Sequence, residues 1–463
     1  MEAGMSEYAA DADNTSSEYF CESDVDSDTG SNEIDDDINL VEDLRCWALS
    51  FNIRHIAVKE LLKIQNRRLS NTLPQDPRTL LKTTQTISLI PVGDGHYWHH
   101  GFKSCIEKVF SEIKEPVNIS IKINMDGLPV YKSSKDEFWP ILFNIDEFPY
   151  IKPMVIGIYS GKHKPTDLTA FLDPFVNEMI DVCKNGIMIN GFIITVSIRC
   201  FVCDSPARAF IKGVANFNAQ NGCQKCVSRG EYSHVSHTNF YPQSSCPTRT
   251  DEGFRNKDYG SHHKSDSPLL RLPIDMIKDF PVGDSLHLID LGIMKKLLLG
   301  WRDGSVGSYR TKWPASISTD ISKKLLQLRM PLEIHRSMRG LDCLSHWKGS
   351  EFRTFLHYAS IVILKPVLPP HVYEHFLVFF CAITICSSDM YSSMLELAHQ
   401  LLTHFVDMFK SIYGEDYVTS NFHNLMHLIE DVKRFGPLHK FNAYPFESKL
   451  FEIKISFELA VNH

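Results

Sequence analysis

Ile119-Ser120-Ile121-Lys122-Ile123-Asn124-Met125-Asp126-Gly127 is the stretch from which the fold is read. Apolar residues at 119, 121, 123 and 125 alternate with Ser120, Lys122, Asn124 and Asp126, the period of two that sends successive side chains to opposite faces of a half-buried strand. The polar face ends in a carboxylate, and Asp126-Gly127 turns the chain. Moving outward, 139–144 and 154–159 are apolar and short enough to be strands. Leu168, Leu172, Phe175, Met179 and Val182 recur every three or four residues and predict a helix over 167–183. Residues 187–203, rich in Ile, Val, Phe and Thr, predict one long buried strand. The order is β-β-β-α-β, with Asp126 closing the first strand and Asp204 the fourth.

Around this segment the chain has ordinary globular proportions: 463 residues, 43% hydrophobic and 22% charged. Collagen-like, mucin-like and wholly disordered classes are excluded. Twelve Cys at irregular spacings, with an acidic start that has no basic and apolar leader, point to a reducing compartment. The apolar run at 376–390 is shorter than the roughly 20 residues of a spanning helix, so no membrane segment is expected. The net charge of −8 conceals an asymmetry. Residues 1–44 hold 15 Asp or Glu and no Lys or Arg, which leaves 48 basic and 41 acidic residues, a balance of +7, for the other 419. Residues 1–43 therefore read as a disordered acidic tail on a mildly basic body.

Residues 44–82 read as a small helical module, possible in helix-turn-helix form: Leu44, Trp47 and Ala48 keep helical spacing, Asn52 breaks it, and Ile56, Leu61 and Leu62 resume it. Lys63, Arg67, Arg68 and Arg78 follow, where they could meet phosphates; a helical pair that packs on the body is an equal reading. The aromatic and His run from Gly95 to His100 suits an edge strand better than base stacking. Residues 213–283 are polar and rich in His, Ser, Asn, Gly and Cys, an irregular insertion in need of a stabiliser. Residues 284–438 turn helical, with a stripe from Ala398 through Leu402, Phe405 and Phe409 closed by Gly414. A short extended piece, 441–446, precedes Glu447 and a helix start.

Three groupings carry chemistry. Asp126 and Asp204, at the ends of neighbouring strands, repel unless a divalent cation offsets them, although each also suits a turn or a helix cap. Cys223-x₂-Cys226 followed by His234 and His237 has the thiolate and imidazole donors of a tetrahedral Zn²⁺ clip, with Cys246, His262 and His263 as substitutes for either His. His423 and His427, four apart with no third ligand in view, read as helix-packing residues. Asp284 and His287, three apart, share a helical face, and Asp284 also suits an N-cap.

The segments Ile123–Pro129, Cys203–Arg208, Gly222–Cys226, and Asn424–Leu428 through Arg434–Leu438 to Tyr444–Glu447 resemble those of CACTA (En/Spm)-type DDE transposases and the transposase-domain proteins derived from them. The resemblance spans about residues 44 to 454. It implies an α/β fold with an RNase H-like mixed-sheet core (β-β-β-α-β … β-α), its first part at 83–212 and its end at 439–463, interrupted by the zinc-clipped insertion at 213–283 and the helical domain at 284–438. It implies that Asp126, Asp204 and Glu447 are the catalytic acids, holding two Mg²⁺ or Mn²⁺ ions, with Asp126 bridging. Glu452, Glu430 and Asp431 compete for the third place. It also makes Asp284-Ser285-Leu286-His287 the auxiliary C/D-x₂-H signature. The implied activity is divalent-metal-dependent cleavage and strand transfer of DNA in the nucleus, acting on transposon terminal repeats and a target, with a homo-oligomer possible. The relatives continue past Glu447 with a longer helix rich in Lys and Gly, so a shortened last helix and a catalytically inactive DNA- or protein-binding module form the alternative.

Overall fold

The computed structural model describes residues 33–51, 53–69, 72–83, 87–130, 136–243, 246–307, 312–334 and 336–461. Eight strands form one mixed sheet: β1 (Leu89–Val92), β2 (Gly95–His99), β3 (Val117–Met125), β4 (Leu128–Pro129), β5 (Glu137–Ile145), β6 (Met154–Gly161), β7 (Ile187–Ile189) and β8 (Phe192–Phe201). Their order is β1-β2-β6-β5-β3-β8-β7, with β4 beside β5. Among the described strands only the interior pair β3 and β8 runs parallel. Both strands therefore end on the same side, and Asp126 and Asp204 follow directly.

The expected β-β-β-α-β order is present as β3, β5, β6, the helix Leu168–Asn185 and β8. Asp167 caps that helix by accepting the Ala170 amide at 2.9 Å, and Gly186 ends it at a positive φ of 69°. The single long strand expected over 187–203 is instead a hairpin. Asn190 and Gly191 both have positive φ, 51° and 82°, the requirement of a tight two-residue turn that folds β7 back on β8.

β3 is more enclosed than a half-buried strand. On one face Ile119, Ile121, Ile123 and Met125 join Phe143, Phe171, Phe175 and Met179 in one core. Ile121 and Ile123 are fully buried, which stabilises the fold by about 1.5–3 kcal/mol each. The other face meets the C-terminal segments: Lys122 donates to Asp146 and to the Lys440 carbonyl, both at 2.8 Å, and Arg199 to the Phe435 carbonyl at 2.9 Å.

The acidic tail contains helix. A helix spans Glu33–Ser50, so the 1–43 boundary is too long; residues 1–32, and Asn52, lie outside the described residues. With the helices His55–Asn66 and Pro77–Leu80 it encloses a small separate core of Ala48, Val58, Leu62, Leu73 and Leu80.

The C-terminal region is helical. Residues 376–385 belong to the helix Pro370–Cys386, which packs on Leu395–Tyr413 through Phe376, Phe379 and Phe405. Among the described residues no single helix is long and apolar enough to cross a membrane. The expected strand at 441–446 is absent. Leu438–Phe441 is a 3₁₀ turn, and the last helix, Tyr444–Val461, begins where Asn442 accepts the Tyr444 amide at 3.1 Å and Pro445 occupies the first turn.

Candidate functional site: an acid cluster and a buried Cys/His centre

Asp126 extends from the end of β3, and Asp204 caps the helix Ser205–Lys212 after β8 by accepting the Ala207 amide at 2.7 Å. Arg208, one turn on, is buried and donates to the carbonyls of Cys203 (3.1 Å) and Pro281 (2.8 Å), tying the β8 exit to the segment that leads into Asp284. Asp284 caps the next helix, Ser285–Met294, whose turns are of the wide π type often found near functional sites. Glu447 sits in the first turn of the last helix, anchored by buried Phe446 and Leu450 and by the edge-on contact of Phe457 with Phe138.

These elements bring Asp126, His287 and Glu447 together, with ligand atoms all within 4.8 Å of one another. Asp204 lies close enough for its charge to act on both acids. Burial first, then the charges of Asp204 and Glu447, pushes the Asp126 carboxyl well above its ordinary range, against an opposing pull from His287. Burial likewise raises Glu447, with Asp204 adding to it and His287 opposing. His287 Nδ1 stands 2.5 Å from Asp284 Oδ2, and its Nε2 3.8 Å from Glu447 Oε1. Burial alone would depress this imidazole, but Asp284 and Glu447 outweigh it and raise it to about 10. Four acidic side chains, Asp126, Asp204, Asp284 and Glu447, thus crowd around one imidazole. The side chains of His287 and Glu447 keep 23% and 25% of their surface exposed, so one side is open to solvent. The rivals for the third acid lie elsewhere: Glu452 pairs with Lys449 and Lys152, Asp431 is buried against Lys225, and Glu430 is exposed.

The second centre corrects the expected zinc ligands. Cys223 and Cys226 are joined by His423 and His427, and all four are buried. Sγ of Cys223 lies 3.5 Å from Sγ of Cys226 and 3.5 Å from Nε2 of His427; Sγ of Cys226 lies 3.2 Å from Nε2 of His423, and the two imidazole nitrogens are 3.4 Å apart. Donors around a tetrahedral Zn²⁺ at about 2.0–2.3 Å are roughly 3.3–3.8 Å from each other, so this Cys₂His₂ set fits a zinc ion. Burial opposes ionisation of Cys223, but the Cys226 thiol and the two imidazoles prevail and hold it well below an ordinary thiol. The amides of Cys226 and Ser228 donate to the sulfurs of Cys223 and Cys226, both at 3.4 Å, and Tyr241 stacks on His423 with ring centres 4.6 Å apart.

His234 and His237 are not ligands. They are exposed on the turn between two short strands, Glu231–Ser233 and Thr238–Phe240. Nor are the substitutes among the four donors: His262 Nδ1 bonds the Asn221 carbonyl at 2.7 Å, His263 stacks on Tyr259, and Cys246 packs against Cys223 and Cys226 with its thiol donating to Gln243. The signal for the true pair was the i, i+4 spacing of His423 and His427, which sets both rings on one helical face.

No protein-family model matches the chain, and comparison with curated proteins finds no match.

Proposed function

We propose that the protein is a transposase-like enzyme with an RNase H-like core that cleaves and joins DNA phosphodiesters at Asp126, Asp204 and Glu447. The observation that carries this reading is that Asp126, at the end of β3, and Glu447, more than three hundred residues later, meet within ligand distance of each other, with Asp204, after the parallel neighbour β8, near enough for its charge to act on both. The sheet path β6-β5-β3-β8 and the sequence segments that resemble CACTA-type transposases support it.

The donor set fits hard divalent cations: the acids offer oxygen, and their crowding is relieved by positive charge. Asp126, Asp204 and Glu447 would hold Mg²⁺ or Mn²⁺, which when bound supplies activation of a water or 3′-hydroxyl and stabilisation of the leaving oxygen. The remaining work falls to protein groups. Asp284, an acceptor only, keeps a proton on His287 Nδ1 and fixes the ring. Nε2 lies 3.8 Å from Glu447 Oε1, beyond hydrogen-bond length, so the imidazole acts on that carboxylate through its charge. The buried Cys₂His₂ centre, filled by zinc, fixes the insertion against the helical domain.

A competing reading, a DNA- or protein-binding module without catalysis, is favoured by His287 itself, which gives the acids a built-in countercharge. Nicking separates the two. The protein with Mn²⁺ is expected to nick a panel of duplex oligonucleotides, and Asp126→Asn or Glu447→Gln to fall to background. Equal rates in wild type and variants would defeat the catalytic assignment.

A further inference from the structure

We infer that Lys225 and Asp431 are positioning residues that transmit the order of the Cys₂His₂ centre to the acid cluster. What the acid cluster does is taken from the proposed function; the link itself is geometric.

Lys225 is the third residue of the turn Cys223-Gln224-Lys225-Cys226. Its ammonium is buried and donates to Asp431 Oδ1 at 2.8 Å and to the Ile277 carbonyl at 3.1 Å. Asp431 lies one helical turn after His427, so the ligand and the ion pair move together. The second oxygen, Oδ2, accepts the amides of Val282 (2.7 Å) and Gly283 (3.0 Å), the two residues before Asp284. Gly283 is pressed onto the same helix: a Cβ there would meet Leu428 Cδ1 at 2.4 Å. Asp284 Oδ1 accepts the Ala443 amide at 2.8 Å, at the entrance to the helix that carries Glu447, and Oδ2 holds His287. Buried hydrogen bonds to Asp431 and Asp284, joined by short stretches of backbone, therefore lead from Cys223 and His427 to His287 and to the first turn of the helix that carries Glu447.

Stability alone does not account for the pair. A buried ion pair is often matched or exceeded in stability by apolar residues of similar volume. No apolar pair accepts the two amides that set the position of Asp284.

The test uses the full chain carrying Lys225→Met with Asp431→Leu, and separately Asp431→Asn. Zinc content and melting temperature report the fold, hydrogen exchange of segments 282–287 and 443–447 reports the link, and Mn²⁺ affinity by electron paramagnetic resonance reports the acid cluster. The double variant is expected to keep its zinc, to melt a few degrees lower because two buried amides lose their acceptor, to exchange those amides at least tenfold faster, and to bind Mn²⁺ about ten- to a hundredfold more weakly. Asp431→Asn, which retains an oxygen for the amides, is expected to fall between it and wild type. If the double variant does not fold, Asp431→Asn decides by the same exchange measurement. Wild-type exchange in the folded variants would overturn the link. A wild-type protein that binds no Mn²⁺ would instead defeat the proposed function, while exchange still judged the link.

Discussion

The Cys₂His₂ centre and the acid cluster are assembled alike, from groups that the fold gathers across the chain, yet their surroundings are opposite. The first is closed: four soft donors, none more than 7% exposed, sit at the mutual spacing of a tetrahedron. The second is open on one side and made of hard oxygen donors, with His287 as its own cation. Closed tetrahedral sites hold chains together, whereas open ones leave a position for a ligand. The difference also has a sign in energy. Filling the first centre stabilises the protein, while the crowded carboxylates of the second destabilise it at neutral pH.

The largest expected effect tests the first half of that contrast. Cys223→Ser with Cys226→Ser is expected to lose one equivalent of zinc by mass spectrometry and roughly 5 kcal/mol of stability in denaturant unfolding. Unchanged stability would show that the centre is not structural.

A control for the second half is Asp290, buried one turn beyond His287 with Tyr444 Oη donating to it at 2.7 Å. Burial raises its carboxyl to about 8, opposed by Tyr444. An acid whose folded pKa is raised binds its proton more tightly in the folded state, so its contribution is full below about 3.8 and is lost as pH rises toward 8. Asp290→Asn is expected to flatten the decline of melting temperature across that window by a few degrees. A slope unchanged from wild type would place the pH dependence elsewhere.

The smallest effect is the most telling for the comparison. Asp126 is also raised, so Asp126→Asn is expected to stabilise the protein by about 1 kcal/mol at pH 8, with the gain vanishing toward pH 4. Calorimetry that finds Asp126→Asn destabilising at pH 8 would remove the contrast in sign.

Local pattern made the core of the sheet and the positions of Asp126 and Asp204 legible, whereas Glu447 was placed by the resemblance alone, after an expected strand that is absent. Alternation marked β3, helical spacing marked Leu168–Asn185, and Asp126 and Asp204 could each be placed beside an element end. What escaped had two causes. Turn and cap signals were overridden by apolar runs: Asn190-Gly191 inside an apolar stretch was read through as one strand, and Asn442 with Pro445 marked a helix start within a stretch read as extended. The other cause is distance along the chain. The imidazoles that complete the Cys centre lie 197 and 204 residues from their sulfur partners, so nearby His234 and His237 stood in their place. No local spacing rule spans such an interval.

That interval has a consequence for how the molecule is made. A metal joining Cys223 to His427 would close a ring of about two hundred residues around most of the helical region, and tethering ends so far apart lowers the entropy of the unfolded chain by an amount worth about 5 kcal/mol. During synthesis the knuckle emerges from the ribosome long before its imidazoles, so it waits with two bare thiols until the ring can shut. With zinc in place, a protease that nicked the polypeptide anywhere inside the ring would leave two fragments still fastened by one ion.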